Sequence, residues 1–315
     1  MADMPVLLEI SALFIIMTIG FACGLKKILN SEAIRGISEL IIKVTLPSLI
    51  LVSLQRPFTK ELMGDALQTL LVATVFYAAM IGTALLAVKL LGTPRKQAGI
   101  LAFSLSFSNC GFIGFPVVAS ILGNDALFLT AIHNLLFNIL AFSAGILIVA
   151  KYAEREGIVR NPGNAKLPLR KIFNNNVLAS VLGFLFFIAS FKIPRAVALP
   201  LEMVGALTTP LAMLVTGAML SRTRAASVLG NWRLYAVSLI RLAVLPLLTA
   251  IALRLCGITG NLYYISVIIA GMPAASNTSL IAEVYGGDTE SASAIVFMTT
   301  LLSVLSIPLL ALLLK

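Results

Sequence analysis

Charged residues are scarce in this sequence of 315 residues. Only 11% are Asp, Glu, Lys or Arg, whereas 59% are hydrophobic and the mean hydropathy is +1.03. About a quarter of an average soluble chain is charged, so a water-soluble domain of this length is excluded. Lipid must be the solvent, and the composition predicts an all-α integral membrane protein.

Cysteine and histidine are also rare. The three cysteines, Cys23, Cys110 and Cys256, are odd in number and lie in apolar runs, which does not indicate a disulfide framework. A single histidine provides no cluster of metal ligands. Motifs for ATP use and for serine or zinc hydrolases are absent from the sequence. We therefore expect no metal, no cofactor and no enzymatic activity.

The net charge of +10 could suggest nucleic acid, but the basic residues lie between apolar runs. That pattern is typical of membrane topology, in which Lys and Arg stay on the cytoplasmic side. Loops on the side of the central linker carry fourteen basic residues and the opposite loops carry six. The count predicts a multi-pass protein of the inner (plasma) membrane with both termini outside, and no nucleic-acid partner.

Apolar runs long enough to cross a bilayer recur along the chain. We predict ten spans: 6–25, 37–54, 68–91, 98–122, 127–150, 175–193, 201–220, 234–256, 262–284 and 292–314. The longest polar interruption divides them into a first five-helix repeat, 1–150, a cytoplasmic linker, 151–173, and a second repeat, 174–315. In span two, Glu39 and Lys43 are four residues apart, which predicts a helical ion pair near the inner interface.

An internal repeat is indicated at a constant offset of 163 residues. Pro47 falls on Pro210, and 123–125 falls on 286–288. Because each half has an odd number of spans, the halves must insert in opposite orientations. The sequence therefore predicts an inverted-topology repeat, a common construction in transporters.

Spans four and nine are the least lipid-like, because each places Gly, Pro and Asn at membrane depth. Proline removes an intrahelical hydrogen bond, and backbone groups freed in this way cannot face hydrocarbon. We expect 109–116 and 271–277 to unwind and cross, so that half-helix N-termini favour an anionic solute at the midplane. The alternative is that both segments are only proline-kinked helices.

The run 108–116, SNCGFIGFP, resembles the N-x-G-F-x-G-x-P signature of the auxin efflux carrier family, and 271–277 resembles its second crossover. The likeness covers essentially the whole chain. It implies a fold like that of the bile acid:sodium symporters, with spans one, two, six and seven as scaffold and homodimer contact. The other spans would form a moving transport domain.

Other polar residues within the spans are candidates for the solute pathway. Asn134 and Asn138 share a helix face, although buried amides often only join helices. Arg241 could counter an anionic substrate or extend to the inner headgroups. His133 and Glu283 are candidates for proton or ion coupling, although His133 could simply lie at the outer interface and Glu283 could simply reach water.

These patterns predict an elevator-type carrier or uniporter of small organic anions such as carboxylates. Alternatives are sodium-coupled symport of an amphipathic anion, or a non-transporting receptor or enzyme on the same scaffold. The predicted substrate-binding residues are Asn109, Gly111, Pro116, Asn134, Asn138, Arg241, Pro273, Ser276 and Asn277.

Overall fold

The computed structural model of this chain describes residues 3–155, 173–222 and 231–314. The predicted linker, 151–173, therefore lies mostly outside the described residues. The described helices are α1 (Asp3–Leu25), α2 (Ser31–Ser53), α3 (Lys60–Leu90), α4 (Arg95–Ser106), α5 (Cys110–Leu122), α6 (Asn124–Ala153), α7 (Asn175–Ile188), α8 (Arg195–Leu220), α9 (Trp232–Leu255), α10 (Gly260–Ala270), α11 (Thr278–Tyr285) and α12 (Thr289–Leu313).

Seven of these helices are long and apolar enough to cross a membrane: α1, α2, α3, α6, α8, α9 and α12. Helices α5, α7 and α10 are apolar but shorter. The described ranges contain no strand, and their isolated β-bridge joins Ser108 to Ala274. The chain is therefore an all-α integral membrane protein, as its composition predicts.

Polar caps extend two helices beyond the apolar runs that predict them. Helix α2 begins at Ser31 rather than at residue 37, because the Asn30 side chain accepts a hydrogen bond from the Ala33 N–H. Thr59 caps α3 in the same way. Such caps satisfy the free N–H groups of the first turn, so polar residues add a turn outside the bilayer core.

The predicted ion pair of α2 is present. Lys43 Nζ lies 2.7 Å from Glu39 Oε2, and Arg35 Nε lies 3.4 Å from Glu39 Oε1. The Glu39 carboxylate is about half exposed, so these contacts contribute little stability.

Among the described residues, wide π-helical turns interrupt three helices, α2, α6 and α9, and begin a fourth, α5. In three of them a proline follows two residues after the turn, namely Pro47, Pro116 and Pro246. Proline has no N–H to complete an α-helical ladder and its ring crowds the preceding turn, so widening that turn accommodates it. The turns are Ile41–Thr45, Cys110–Gly114, Ala141–Gly145 and Ile240–Val244.

Helices α1 and α8 pack backbone to backbone through glycines. A Cβ added at Gly217 would lie 1.8 Å from Met17 O, and one at Gly20 would lie 2.1 Å from Leu214 O. Small residues permit this close approach, which supplies van der Waals contact where lipid removes the hydrophobic driving force. The backbones of α1 and α8 are therefore in direct contact.

The outer surface suits acyl chains rather than water. Large aliphatic side chains face outward along the helices, such as Leu71 of α3, which is 66% exposed, and Leu305 of α12, which is 69% exposed. Among the side chains that the structure describes, no Asp or Glu is buried, and Arg241 is the one buried Lys or Arg. The polar chemistry is therefore concentrated inside the protein.

Candidate functional site

Two helices break at the centre of the molecule. Helix α4 ends at Ser106 and α5 begins at Cys110, while α10 ends at Ala270 and α11 begins at Thr278. The non-helical connections, 107–109 and 271–277, cannot satisfy their backbone groups within a helix. Each therefore needs a partner elsewhere in the protein.

The two connections satisfy one another. Asn109 N donates a hydrogen bond of 2.8 Å to Pro273 O, and Ala275 N donates one of 3.2 Å to Phe107 O. This antiparallel pairing makes a crossover: four helix ends converge where two extended segments meet. We call residues 107–109 and 271–277 the crossover.

The first break is shorter than predicted, because 109–116 does not unwind. The Asn109 side chain caps α5 by accepting a hydrogen bond of 3.1 Å from Phe112 N. Pro116 lies at the start of the α-helical part of α5, directly after a π turn that accommodates its ring. The prediction that 109–116 unwinds is therefore wrong, because the helix resumes at Cys110.

Asn109 also joins the two halves of the crossover. Its Nδ2 donates a hydrogen bond of 2.6 Å to Ser276 Oγ, and the residue is only 4% exposed. Asn277 stands at the N-terminus of α11 but makes no side-chain cap bond. Its buried Oδ1 has no hydrogen-bond partner among the described atoms.

Arg241 of α9 lies next to the crossover, and only 1% of its surface is exposed. Its Nε donates to Met272 O at 2.9 Å, its Nη1 to Leu105 O at 2.6 Å, and its Nη2 to Ile269 O at 3.5 Å. These carbonyls belong to the C-terminal end of α4 and to the end of α10 and the residues that follow it. Arg241 therefore does not extend to the headgroups, and it does not line the cavity described next.

A cavity of about 120 Å³ opens beside the crossover. Phe112, Phe137 and Phe142 form part of its apolar wall. Its polar groups are mostly amides, contributed by Asn109, Asn138, Asn174, Asn176 and Asn277. None of the described residues that line it is charged. We call this space the asparagine cavity.

Two amide oxygens at the asparagine cavity are unpaired. Asn176 is only 6% exposed, and its Oδ1 has no hydrogen-bond partner among the described atoms, like the Oδ1 of Asn277. Buried polar groups normally have partners, so these two oxygens are candidates for contact with a solute. Either amide could present its N–H₂ instead after a flip, because its O and N are exchanged by rotation.

Asn134 and Asn138 play different parts in α6. Asn138 lines the asparagine cavity, donates from Nδ2 to Asn134 O at 2.9 Å and accepts at Oδ1 from Asn174 Nδ2 at 3.3 Å. Asn134 is buried away from the cavity, and its Nδ2 is unpaired among the described atoms.

His133 is fully buried rather than lying at the outer interface. Its Nδ1 is 3.4 Å from the Tyr77 hydroxyl of α3, which is in turn 3.7 Å from Cys110 Sγ. This chain of polar groups connects α6 to the start of α5. Glu283, by contrast, is exposed on α11.

Sequence reasoning did not select Asn174 and Asn176. The available signal was a run of three asparagines, 174–176, at the start of an apolar span. Of the nine predicted substrate-binding residues, the structure places five at the asparagine cavity: Asn109, Gly111, Asn138, Ser276 and Asn277.

A second cavity of about 610 Å³ lies on the other side of α11 and shares Ser276 with the first. Hydroxyl groups of Ser31, Thr216 and Ser293 are among its lining, with Arg222 and Glu290 at its edge.

Long apolar helices around a crossover with two cavities define a multi-pass membrane transport protein. The sequence model of the family described as membrane transport protein matches residues 5–311, so the chain belongs to that family. This match confirms the resemblance to auxin efflux carriers.

Relatives of nearly equal length share this family. The chain is 25% identical over 301 residues to an uncharacterized transporter of Methanothermobacter thermautotrophicus, covering 95% of each chain. It is 24% identical over 306 residues to one of Methanocaldococcus jannaschii, covering 94% of each. It is 20% identical over 306 residues to the uncharacterized transporter YfdV of Escherichia coli K12, covering 96% of this chain and 95% of the relative.

Proposed function

We propose that this protein is a secondary carrier of small organic anions that binds its solute in the asparagine cavity. The observation that carries the proposal is the crossover itself, where the N-termini of α5 and α11 meet beside a cavity lined by amides. Helix N-termini bear partial positive charge and free N–H groups, which favour a carboxylate.

The charges of the protein interior support an anion rather than a cation. No carboxylate is buried among the described side chains, and Arg241 places a positive charge beneath the crossover. Cation sites within membranes are normally built from Asp and Glu. Each asparagine N–H₂ has two donor hydrogens, so these amides can donate to a carboxylate without adding charge of their own.

The size and lining of the cavity suit a small amphipathic acid. A volume of about 120 Å³ corresponds to roughly ten water-sized probe spheres. One wall is aromatic and the other carries amides, so a mono- or dicarboxylate can place its carbon skeleton on Phe137 and its carboxylate on Asn109 and Asn277.

We further propose ten spans arranged as two inverted repeats. The α4–α5 pair, the α10–α11 pair and α7 are the three spans beyond the seven long helices. A repeated contact supports this: Gly20 packs on α8 near Gly217, and Gly183 packs on Leu54 of α2. At the offset of 163 residues, Gly20 corresponds to Gly183 and Leu54 corresponds to Gly217. The contact of Gly20 with the region of Gly217 therefore corresponds to the contact of Gly183 with Leu54, with the two halves of the chain in exchanged roles.

In this proposal α1, α2, α7 and α8 form a scaffold that also makes a homodimer, and the remaining helices move across the membrane as a unit. The second cavity supports such a boundary, because it lies between α2 and α8 on one side and α11 and α12 on the other. Both cavities lie toward the end of the molecule that holds Ser31, Asn174 and Arg222. With the termini outside, this end is cytoplasmic and the structure is open inward.

The test is a screen of organic acids on proteoliposomes fixed to a solid-supported membrane, recording currents at several pH values. We expect saturable currents for some carboxylates and none for their neutral amides. Accumulation of radiolabelled acid distinguishes transport from binding alone and from chemical conversion. Saturable currents from amines but not from acids would overturn the proposal.

Sodium-coupled symport is a second candidate, favoured by the unpaired oxygens of Asn176 and Asn277. Amide oxygens are suitable ligands for a hard cation. Uptake measured with an inward sodium gradient, and with potassium in place of sodium, separates the two candidates. Equal uptake in both conditions leaves the sodium-independent carrier.

A further inference from the structure

One buried positive charge lies beneath the crossover without a carboxylate to balance it. Arg241 is 1% exposed, and its three hydrogen bonds all go to backbone carbonyls. The described side chains include no buried Asp or Glu and no ion pair to Arg241. A guanidinium stays charged in proteins, and removing it from water is costly unless opposite charge lies nearby.

The carbonyls that hold Arg241 explain what the charge does. Leu105 and Ile269 are the next-to-last residues of α4 and α10, whose C-terminal ends carry partial negative charge. The guanidinium offsets both ends. The N-terminal ends of α5 and α11, on the cavity side, are left uncompensated, so the crossover as a whole is positive.

We infer that Arg241 is the fixed counter-charge of the carrier, which makes the crossover selective for monovalent anions. The inference rests on the proposed function. Arg241 lines neither cavity, so it is a positioning residue that acts through the backbone and through its electric field rather than by touching the solute. At the repeat offset of 163 residues, the position in the first half that corresponds to Arg241 is Ala78. The repeat therefore does not supply a second buried arginine at the crossover.

A consequence for voltage dependence follows. Arg241 belongs to α9, within the unit proposed to move. When that unit is empty its described interior carries one uncompensated positive charge, that of Arg241, and when it holds a monovalent anion the two buried charges cancel. The membrane potential therefore acts on the return of the empty unit and not on the loaded step.

The experiment records displacement currents after voltage steps in clamped cells that express the full-length protein, with no solute present. The probe is the voltage itself. In the wild type we expect a displaced charge that saturates with voltage. The displaced charge should be more than twofold smaller in Arg241→Gln and near the wild-type value in Arg241→Lys. A residue with a merely structural role would not show this dependence on charge.

Arg233→Gln is the matched control. Arg233 is also on α9 and also donates to carbonyls after a helix end, those of Leu91 and Gly92, but it is partly exposed near the start of its helix. We expect this variant to displace the wild-type charge. Gel filtration and thermal unfolding establish that each variant is folded.

Two results overturn the inference while leaving the proposed function intact: wild-type uptake without displacement current, and a folded Arg241→Gln with unchanged displaced charge. If Arg241→Gln does not fold, the Arg241→Lys variant is the test. A displaced charge near the wild-type value in Arg241→Lys supports the inference, and loss of the displaced charge overturns it. Absence of anion flux in the wild type would overturn the proposed function instead.

Discussion

Asn109 and Ser276 lie 167 positions apart in the chain and are joined by a hydrogen bond of 2.6 Å from amide Nδ2 to hydroxyl Oγ. The same asparagine caps α5 through its Oδ1. One side chain thus orders a helix start and connects the two broken helices, beside a cavity to which both residues contribute.

Asn109→Asp separates these two roles. An aspartate remains a good helix cap, so the variant keeps the capping role of Asn109 and changes only the charge beside the cavity. Its carboxylate would repel an anionic solute in a medium of low dielectric, and we expect uptake to fall more than tenfold. Uptake of the acid found by the screen, measured in liposomes, checks this.

Asn109→Ala is the companion variant. It removes the cap as well, which costs about 1 kcal/mol, and should lower both uptake and the unfolding temperature. Wild-type uptake by a folded Asn109→Asp would show that the carboxylate of the solute does not bind at the crossover.

The asparagine run at the start of α7 provides a matched pair of variants. Asn176 lines the asparagine cavity with an unpaired Oδ1, whereas the neighbouring Asn175 is exposed and donates to Lys43 O at 2.8 Å. We expect Asn176→Ala to raise the KM for solute about tenfold, and Asn175→Ala to leave it within twofold. Concentration-dependent uptake measures both, and equal KM values for the two variants would contradict the placement of the solute.

The close packing of α1 on α8 predicts a large loss of stability in Gly217→Val. The new side chain would overlap the backbone at Met17 O, so the helices must separate, at a cost on the order of 3 kcal/mol. Gly82→Ala is the control, because a Cβ there meets nothing within 4 Å. It should be neutral or stabilising, since alanine favours helix more than glycine does. Thermal unfolding in detergent compares the two.

Proton coupling, if present, should depend on His133 and not on Glu283. His133 is buried and contacts Tyr77, whose hydroxyl reaches Cys110 at the start of α5, while Glu283 is exposed. We expect His133→Gln to flatten the pH dependence of uptake, because the imidazole is the proton-carrying group of this buried chain. Glu283→Gln should keep the wild-type profile, and the reverse result would exchange the two roles.

Features that depend on neighbouring residues within one helix could be predicted from the sequence. Glycine, proline and asparagine at membrane depth indicated which two spans break, because those residues remove or compete for helical hydrogen bonds. The Glu39–Lys43 pair followed from a spacing of four residues. Both features depend on neighbours within one helix.

Features that depend on the packing of distant helices could not be predicted. The partners of Arg241 are backbone carbonyls, which have no side-chain signature in the sequence. Asn176 and Asn175 are chemically identical neighbours, and only the rotation of α7 against α2 and α6 decides which one faces the cavity. The extent of the first break depended on a cap bond within α5 that helix-breaking residues alone do not reveal.

The four π-helical turns hold one residue more than α-helical turns of the same rise would hold. Deleting one residue from Ala141–Gly145, which no proline follows, would restore the regular ladder without displacing either end of the helix. Homologous chains can therefore differ in length by single residues in the middle of a span, and an alignment that forbids gaps inside membrane helices would misplace the residues beyond them.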